Sequence, residues 1–91
     1  MNTVLRIRGP LNFDTVSTVY NDTAGQFSTA SAVEISCADI TECNSAALAL
    51  FVEWIIQAGR NKIKIRFTGI PESLMKIAAT CGIRKLFEDH Q

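Results

Sequence analysis

The chain holds 91 residues, enough for one domain and too few for a second. Its nine basic and nine acidic side chains cancel, which argues on bulk electrostatics against a nucleic-acid or anionic-membrane protein, and at 47% hydrophobic it is richer than disorder permits. A chain this size removes from water only about 60–65% of the surface it would expose unfolded, so its core is modest.

Residues 3–8 alternate and read as a strand, with Leu5 and Ile7 on one face and Val4, Arg6 and Arg8 on the other, ended by Gly9-Pro10. This start lacks the long apolar core of a signal peptide, and no stretch reaches about 18 apolar residues, so a cytoplasmic protein without direct membrane insertion is expected. Val16, Val19 and Tyr20 recur at helical spacing over residues 13–24, with Asn12 as N-cap, Gly25 as stop, and Asp22 and Thr23 weakening the second half. Residues 26–31 read as a polar loop. A second strand over 32–37 points Val33, Ile35 and Cys37 inward and Glu34 and Ser36 outward, and a loop over 38–43 follows.

The main helix then runs from about Asn44 to Gly59, with Leu48, Phe51, Val52, Ile55 and Ile56 as its expected core stripe. Residues 62–67 form the clearest strand, with Ile63, Ile65 and Phe67 on one face and Lys62, Lys64 and Arg66 on the other. Pro71 opens a short helix whose inner face carries Leu74, Ile77, Ala78 and Cys81 and which Gly82 ends; Ile83, Leu86 and Phe87 pack a final turn. The order is β-α-β-α-β-α. Because each strand alternates, one sheet face is apolar and the other polar, so helices are expected on one side only. The open face then carries Arg6, Arg8, Lys62, Lys64 and Arg66, with Glu34 pairing among them as a solvated surface.

Three cysteines, Cys37, Cys43 and Cys81, lack C-x-x-C spacing, and the lone His90 sits in a charged tail. Buried reduced thiols fit better than zinc or disulfides, and no metal or cofactor is expected. Cys43, just before the main helix, is also a candidate for a thiol activated by a helix start, although no histidine lies near it in sequence.

The segment from Asn44 to Leu50 carries most of the information. It sets a hydroxyl, Ser45, in the first turn of an apolar helix, where unpaired N–H groups and about half a positive charge favour phosphate or a partner's acceptor group. Ser45 therefore has three readings: a simple cap shared with Asn44, a docking position, or a phosphorylation site. With Leu48 facing the core, Leu50 and Trp54 fall on a flank beside Ala46 and Ala47. Part-buried, they would grip a partner; covered by another element such as the C-terminal turn, they would not.

The chain resembles the STAS domain family, the fold shared by anti-sigma-factor antagonists, sulfate-transporter tails and the MlaB subunit of bacterial phospholipid ABC transporters. The likeness spans nearly all of residues 1–91. It rests on Asn44-Ser45-Ala46-Ala47-Leu48, which stands where the family has a D-S-x-G-L-type helix start, and on the strand and glycine-ended helix after it. Residues 9–16, Gly-Pro-Leu-Asn-Phe-Asp-Thr-Val, resemble the lead-in to the first helix in the Mla-like branch, and Leu48-Ala49-Leu50 favours the same branch. The chain departs from the family pattern at Asn44 (usually aspartate), Ala47 (usually glycine) and Ser36 (often an acid), and it lacks the strand that usually precedes residues 3–8. Asparagine keeps the capping role but not the charge, which argues against kinase-dependent switching.

The resemblance implies an α/β, STAS-like (SpoIIAA-like) small mixed β-sheet with helices packed on one face. It implies a non-enzymatic accessory subunit that binds and regulates or stabilises an MlaF-like ATPase of an inner-membrane phospholipid ABC transporter, in the pathway that maintains outer-membrane lipid asymmetry. Such a protein would be cytoplasmic and peripheral to the inner membrane through its partner. The implied partner-binding residues are Asn44, Ser45, Ala46, Ala47, Leu50 and Trp54; there is no catalytic residue, metal, cofactor or nucleic-acid partner, and a homodimer is expected when the partner is missing. The alternative is an anti-sigma-factor antagonist regulated by phosphorylation of Ser45.

Overall fold

In a computed structural model that describes residues 2–23, 25 and 31–91, period-two alternation decides which side of each strand is buried. The elements are β1 (Asn2–Leu11), α1 (Val16–Thr23), β2 (Ala32–Cys43), α2 (Ser45–Arg60), β3 (Lys64–Thr68), α3 (Glu72–Thr80) and α4 (Arg84–Glu88). The strands form one sheet in the order β1-β2-β3, and both ladders are parallel. Parallel neighbours need crossovers, which α1 and α2 supply. Leu5, Ile7, Val33, Ile35, Cys37, Ile65 and Phe67 are buried beneath them. Arg6, Arg8, Lys64 and Arg66 stand exposed on the opposite face with Val4, and Arg66 donates to Glu34 at 2.6 Å. The expected one-sided α/β architecture is the one observed, with the described strands all parallel where a mixed sheet was expected.

β1 does not stop at Gly9-Pro10. Register shifts fall between Arg6 and Arg8 and between Gly9 and Pro10, and Gly9 takes φ +76°. Bulges on an edge strand accommodate both a left-handed glycine and a residue without an N–H. The prolonged β1 pairs Arg8 with Asp39, Gly9 with Ile40 and Leu11 with Cys43, so the expected loop over 38–43 is strand instead. α1 starts later than expected. Asn12 is not its N-cap but the head of a turn: Asn12 Oδ1 accepts from Asp14 N at 2.9 Å, and the Thr15 hydroxyl donates to Pro10 O at 2.9 Å. This side-chain competition with the backbone delays the helix to Val16. The expected loop at 26–30 and the helix end at residue 24 lie outside the described residues.

Lys62 belongs to the turn before β3, at φ 56°, and not to the strand. Pro71 sits one residue ahead of α3, which buries Leu74, Met75 and Ala78; Ile77 is half-buried. Cys81 is exposed, because it follows the last helical residue, so its expected place on the inner face is corrected. The core centres on stacked Phe51 and Phe67 (ring centroids 4.8 Å apart), with Trp54 at 5.7 Å and Phe87 edge-on at 5.9 Å from Phe51. Phe67 N donates to His90 O at 2.7 Å and fastens the chain's end along β3. Among the described residues no helix is long and apolar enough to cross a membrane.

Candidate partner-binding site

The start of α2 is built by Asn44. Its backbone is extended (φ −139°) and its Oδ1 accepts from Ala46 N at 2.9 Å, an N-cap geometry. Asn44, not Ser45, is thus the cap. Ser45 is the first helical residue and is exposed, and its hydroxyl takes no hydrogen bond among the described residues. An unengaged hydroxyl therefore stands at the positive end of a 16-residue helix whose first turn carries no acidic side chain.

The flank behind it differs from expectation. Leu50 is 5% exposed and Trp54 1%, so neither is part-buried; Ala46 and Ala47 are buried as well. Meanwhile Val52 and Ile55 of the expected core stripe are only half-buried, and Ile56 is exposed. The buried arc is turned by about 100°, the angle of one residue, from the stripe centred on Leu48 and Val52. The cause is packing on several sides: α2 meets α1, β3 and α3, and these neighbours claim Leu50, Phe51, Trp54 and Ala58 together. The outward face that remains is Ser45, Ala49, Val52 and Ile56, with Glu53 and Gln57 beside it.

Between α1 and α2 lies an open groove of about 560 Å³. Ala46 and Leu50 form its floor, Val16 and Tyr20 line the α1 wall, Ala49 and Glu53 the α2 wall, and Phe13 stands at its mouth, 71% exposed. Gln57 Nε2 donates to the Tyr20 hydroxyl and ties the helices together one turn beyond Glu53. Phe13 was not singled out as a surface residue in sequence, although it comes before the first residue of α1 and so before the register that buries Val16 and Val19.

The thiols are separate from one another in character. Cys37 is fully buried, and burial first and the nearby Cys43 second push its pKa from 9.0 up to about 12. Cys43 is half-buried, with Sγ 3.6 Å from Ser73 Oγ. Of the three cysteines only Cys37 matches the expected buried thiol. Among the described residues, no three His, Cys, Asp or Glu side chains gather as a metal site.

A family model described as "Mlab, STAS domain" matches residues 1–88. The chain belongs to the STAS domain family. It is an MlaB-like STAS domain by that match, and the STAS fold in general is a protein-interaction fold rather than a catalytic one. A similar solved structure is the STAS domain of a SulP transporter from Vibrio cholerae, with TM-score 0.69 and 18% identity over 98% of this chain and 70% of that one. At that identity the likeness speaks for the fold. A search of curated proteins gives no match.

Proposed function

We propose that this STAS domain is the non-enzymatic accessory subunit of an Mla-type phospholipid ABC transporter, docking on the ATPase at the cytoplasmic side of the inner membrane. The observation that carries the reading is the outward face of α2: an exposed Ser45 followed by Ala49, Val52 and Ile56, in a chain matched by the Mlab family model. Small side chains let a partner's backbone approach closely, and the half-buried and exposed apolar ones give it surface to cover. Of the residues expected to bind, Asn44 holds the helix tip and Ser45 meets the partner. Ala46 and Leu50 offer only the floor of the groove, while Ala47 and Trp54 act from within the core by fixing the helix. A subunit that binds one ATPase conformation more tightly than another shifts its population by that difference in affinity.

Co-expression with an Mla-type ATPase of the same genome tests this. Ala49→Arg, at an exposed position, should leave the circular dichroism unchanged and weaken co-purification by more than about tenfold, as loss of a central contact does. An ATPase that binds the variant as well as the wild type removes the reading.

One observation favours a second reading, an anti-sigma-factor antagonist: the Ser45 hydroxyl is accessible and free of the capping role that Asn44 fills. Phosphate there would add a charge of about −1.5 to −2. Incubation with the cognate anti-sigma kinase should then phosphorylate Ser45, and Ser45→Asp should release that partner. If the kinase leaves Ser45 unmodified and Ser45→Asp still binds, the second reading is lost.

A further inference from the structure

Charge is divided unevenly along this neutral chain. Residues 9–59 contain Asp14, Asp22, Glu34, Asp39, Glu42 and Glu53 and no lysine or arginine; all nine basic residues lie outside that stretch. The fold sets part of this division apart in space. Arg6, Arg8, Lys64 and Arg66 stand on the open sheet face, where Glu34 is taken up by Arg66. The opposite side, formed by α1 and the first half of α2, keeps Asp14, Asp22 and Glu53 with no cation on either helix before Arg60.

The α1–α2 groove opens on that acidic side. Its floor, α1 wall and mouth are apolar (Leu50, Val16 and Phe13), while its rim is polar or acidic through Ser17, Asn21 and Glu53. From Ala46 to Glu53 it spans about 10 Å, two turns of a facing helix, so an apolar pair at i and i+3 or i+4 would fill it. We infer that this groove receives an amphipathic helix whose apolar side chains seat between Phe13 and Leu50 and whose flanking lysines or arginines face Glu53 and Asp14. This deepens the accessory-subunit reading and rests on it only for the identity of the protein that carries the helix.

The probes are a fluorescent amphipathic peptide of leucine and lysine, about 18 residues or five turns long, and its leucine–glutamate counterpart. Wild-type protein should bind the lysine peptide saturably at one site, and less tightly as salt shortens the reach of charge. Phe13→Ser and Glu53→Lys should each weaken it about tenfold, and Glu53→Lys should let the glutamate peptide bind. Ser17→Lys, on the exposed rim, is a third variant should either of the first two melt early. Equal binding of both peptides, or binding unaffected by the groove variants, overturns the inference. So does a homodimer that Phe13→Ser dissolves while the lysine peptide fails to compete with it. The same variants titrated with the ATPase separate the two ideas. An ATPase that loses affinity with Ile56→Arg, on the outward face of α2 and outside the groove, but not with the groove variants overturns the groove and keeps the subunit reading. A groove-dependent lysine peptide alongside an ATPase that never binds does the reverse.

Discussion

Trp54→Ala separates a core tryptophan from an interface one. Trp54 is 1% exposed and stacks on Phe51, which itself stacks on Phe67 and meets Phe87 edge-on. Removing an indole from such a position typically costs about 3–5 kcal/mol, the lost transfer energy plus a cavity that the stacked rings cannot fully close. A 91-residue domain has about 5–14 kcal/mol in hand, so the variant should stand near the edge of folding. With a urea slope of about 1 kcal/mol/M for a domain this small, the unfolding midpoint should drop by about 3 M or more. Far-UV circular dichroism is the readout, because Trp54 is the only tryptophan and its fluorescence vanishes with the substitution. In the wild type that same fluorescence should shift to the red on unfolding. Partner binding should fall only in step with the folded fraction. A midpoint shift below about 1 M, with binding abolished, would refute the placement of Trp54 in the core and restore it as a contact residue.

Gly69 takes φ +68°, and a Cβ there would meet Ala38 N, Cβ and Cα at 3.0–3.2 Å, so Gly69→Ala combines backbone strain with a clash against β2; a loss above about 2 kcal/mol in urea unfolding is expected, and less than about 0.5 would refute it. Asn44→Ala should cost about 0.5–2 kcal/mol by removing the cap on Ala46 N, whereas Asn44→Asp should hold or raise the melting temperature by adding negative charge at the helix start; equal melting of all three proteins would refute the cap. The Cys37 thiol, raised by burial and then by Cys43 from 9.0 to about 12, binds its proton more tightly in the folded state. Its stabilising share is therefore full below pH 9.0 and lost as pH climbs toward 12, so urea midpoints should fall faster over that window in the wild type than in Cys37→Ala. Parallel curves would refute it. Cys81 should meanwhile alkylate first among the three thiols under native conditions.

Strand faces were legible in the sequence because a period of two leaves only two choices: Leu5 with Ile7, Val33 with Ile35, and Ile65 with Phe67 had to share a side. The rotation of α2 was not legible. A helix leaves a continuous angle to be fixed, and apolar residues surround α2, so Ala49 and Ile56 facing outward carry no mark that separates them from Ala47 and Phe51 facing inward. Only the neighbours α1 and α3 decide, and their positions are tertiary information. Residues 38–43 show no alternation either; they are strand because β1 runs far enough to pair with them. At the site, Asn44 and Ser45 were legible through capping chemistry, which is local. The groove was not, since Phe13 and Glu53 lie 40 positions apart in sequence and meet only across a crossover.

Without an exposed tryptophan, recognition has to begin before contact. The division of charge supplies a means: around the groove α1 and α2 carry Asp22 and Glu53 and no cation before Arg60, whereas the bare sheet face carries Arg6, Arg8, Lys64 and Arg66. A cationic partner would be turned toward α1 and α2 as it approaches, which raises the association rate more than the final affinity. The sheet-face pair Arg66–Glu34 adds little stability, since its side chains are 59% and 34% exposed and such pairs contribute about 0–1 kcal/mol. Toward a cationic partner of the kind inferred above, that face would contribute repulsion from the wrong side. Once docked, the partner meets a helix whose inner face is locked by Phe51, Trp54 and Ala58, so it grips a rigid body. If the proposed ATPase is that partner, salt should slow its association strongly and leave dissociation, governed by the apolar groove lining at Leu50 and Val16, nearly unchanged.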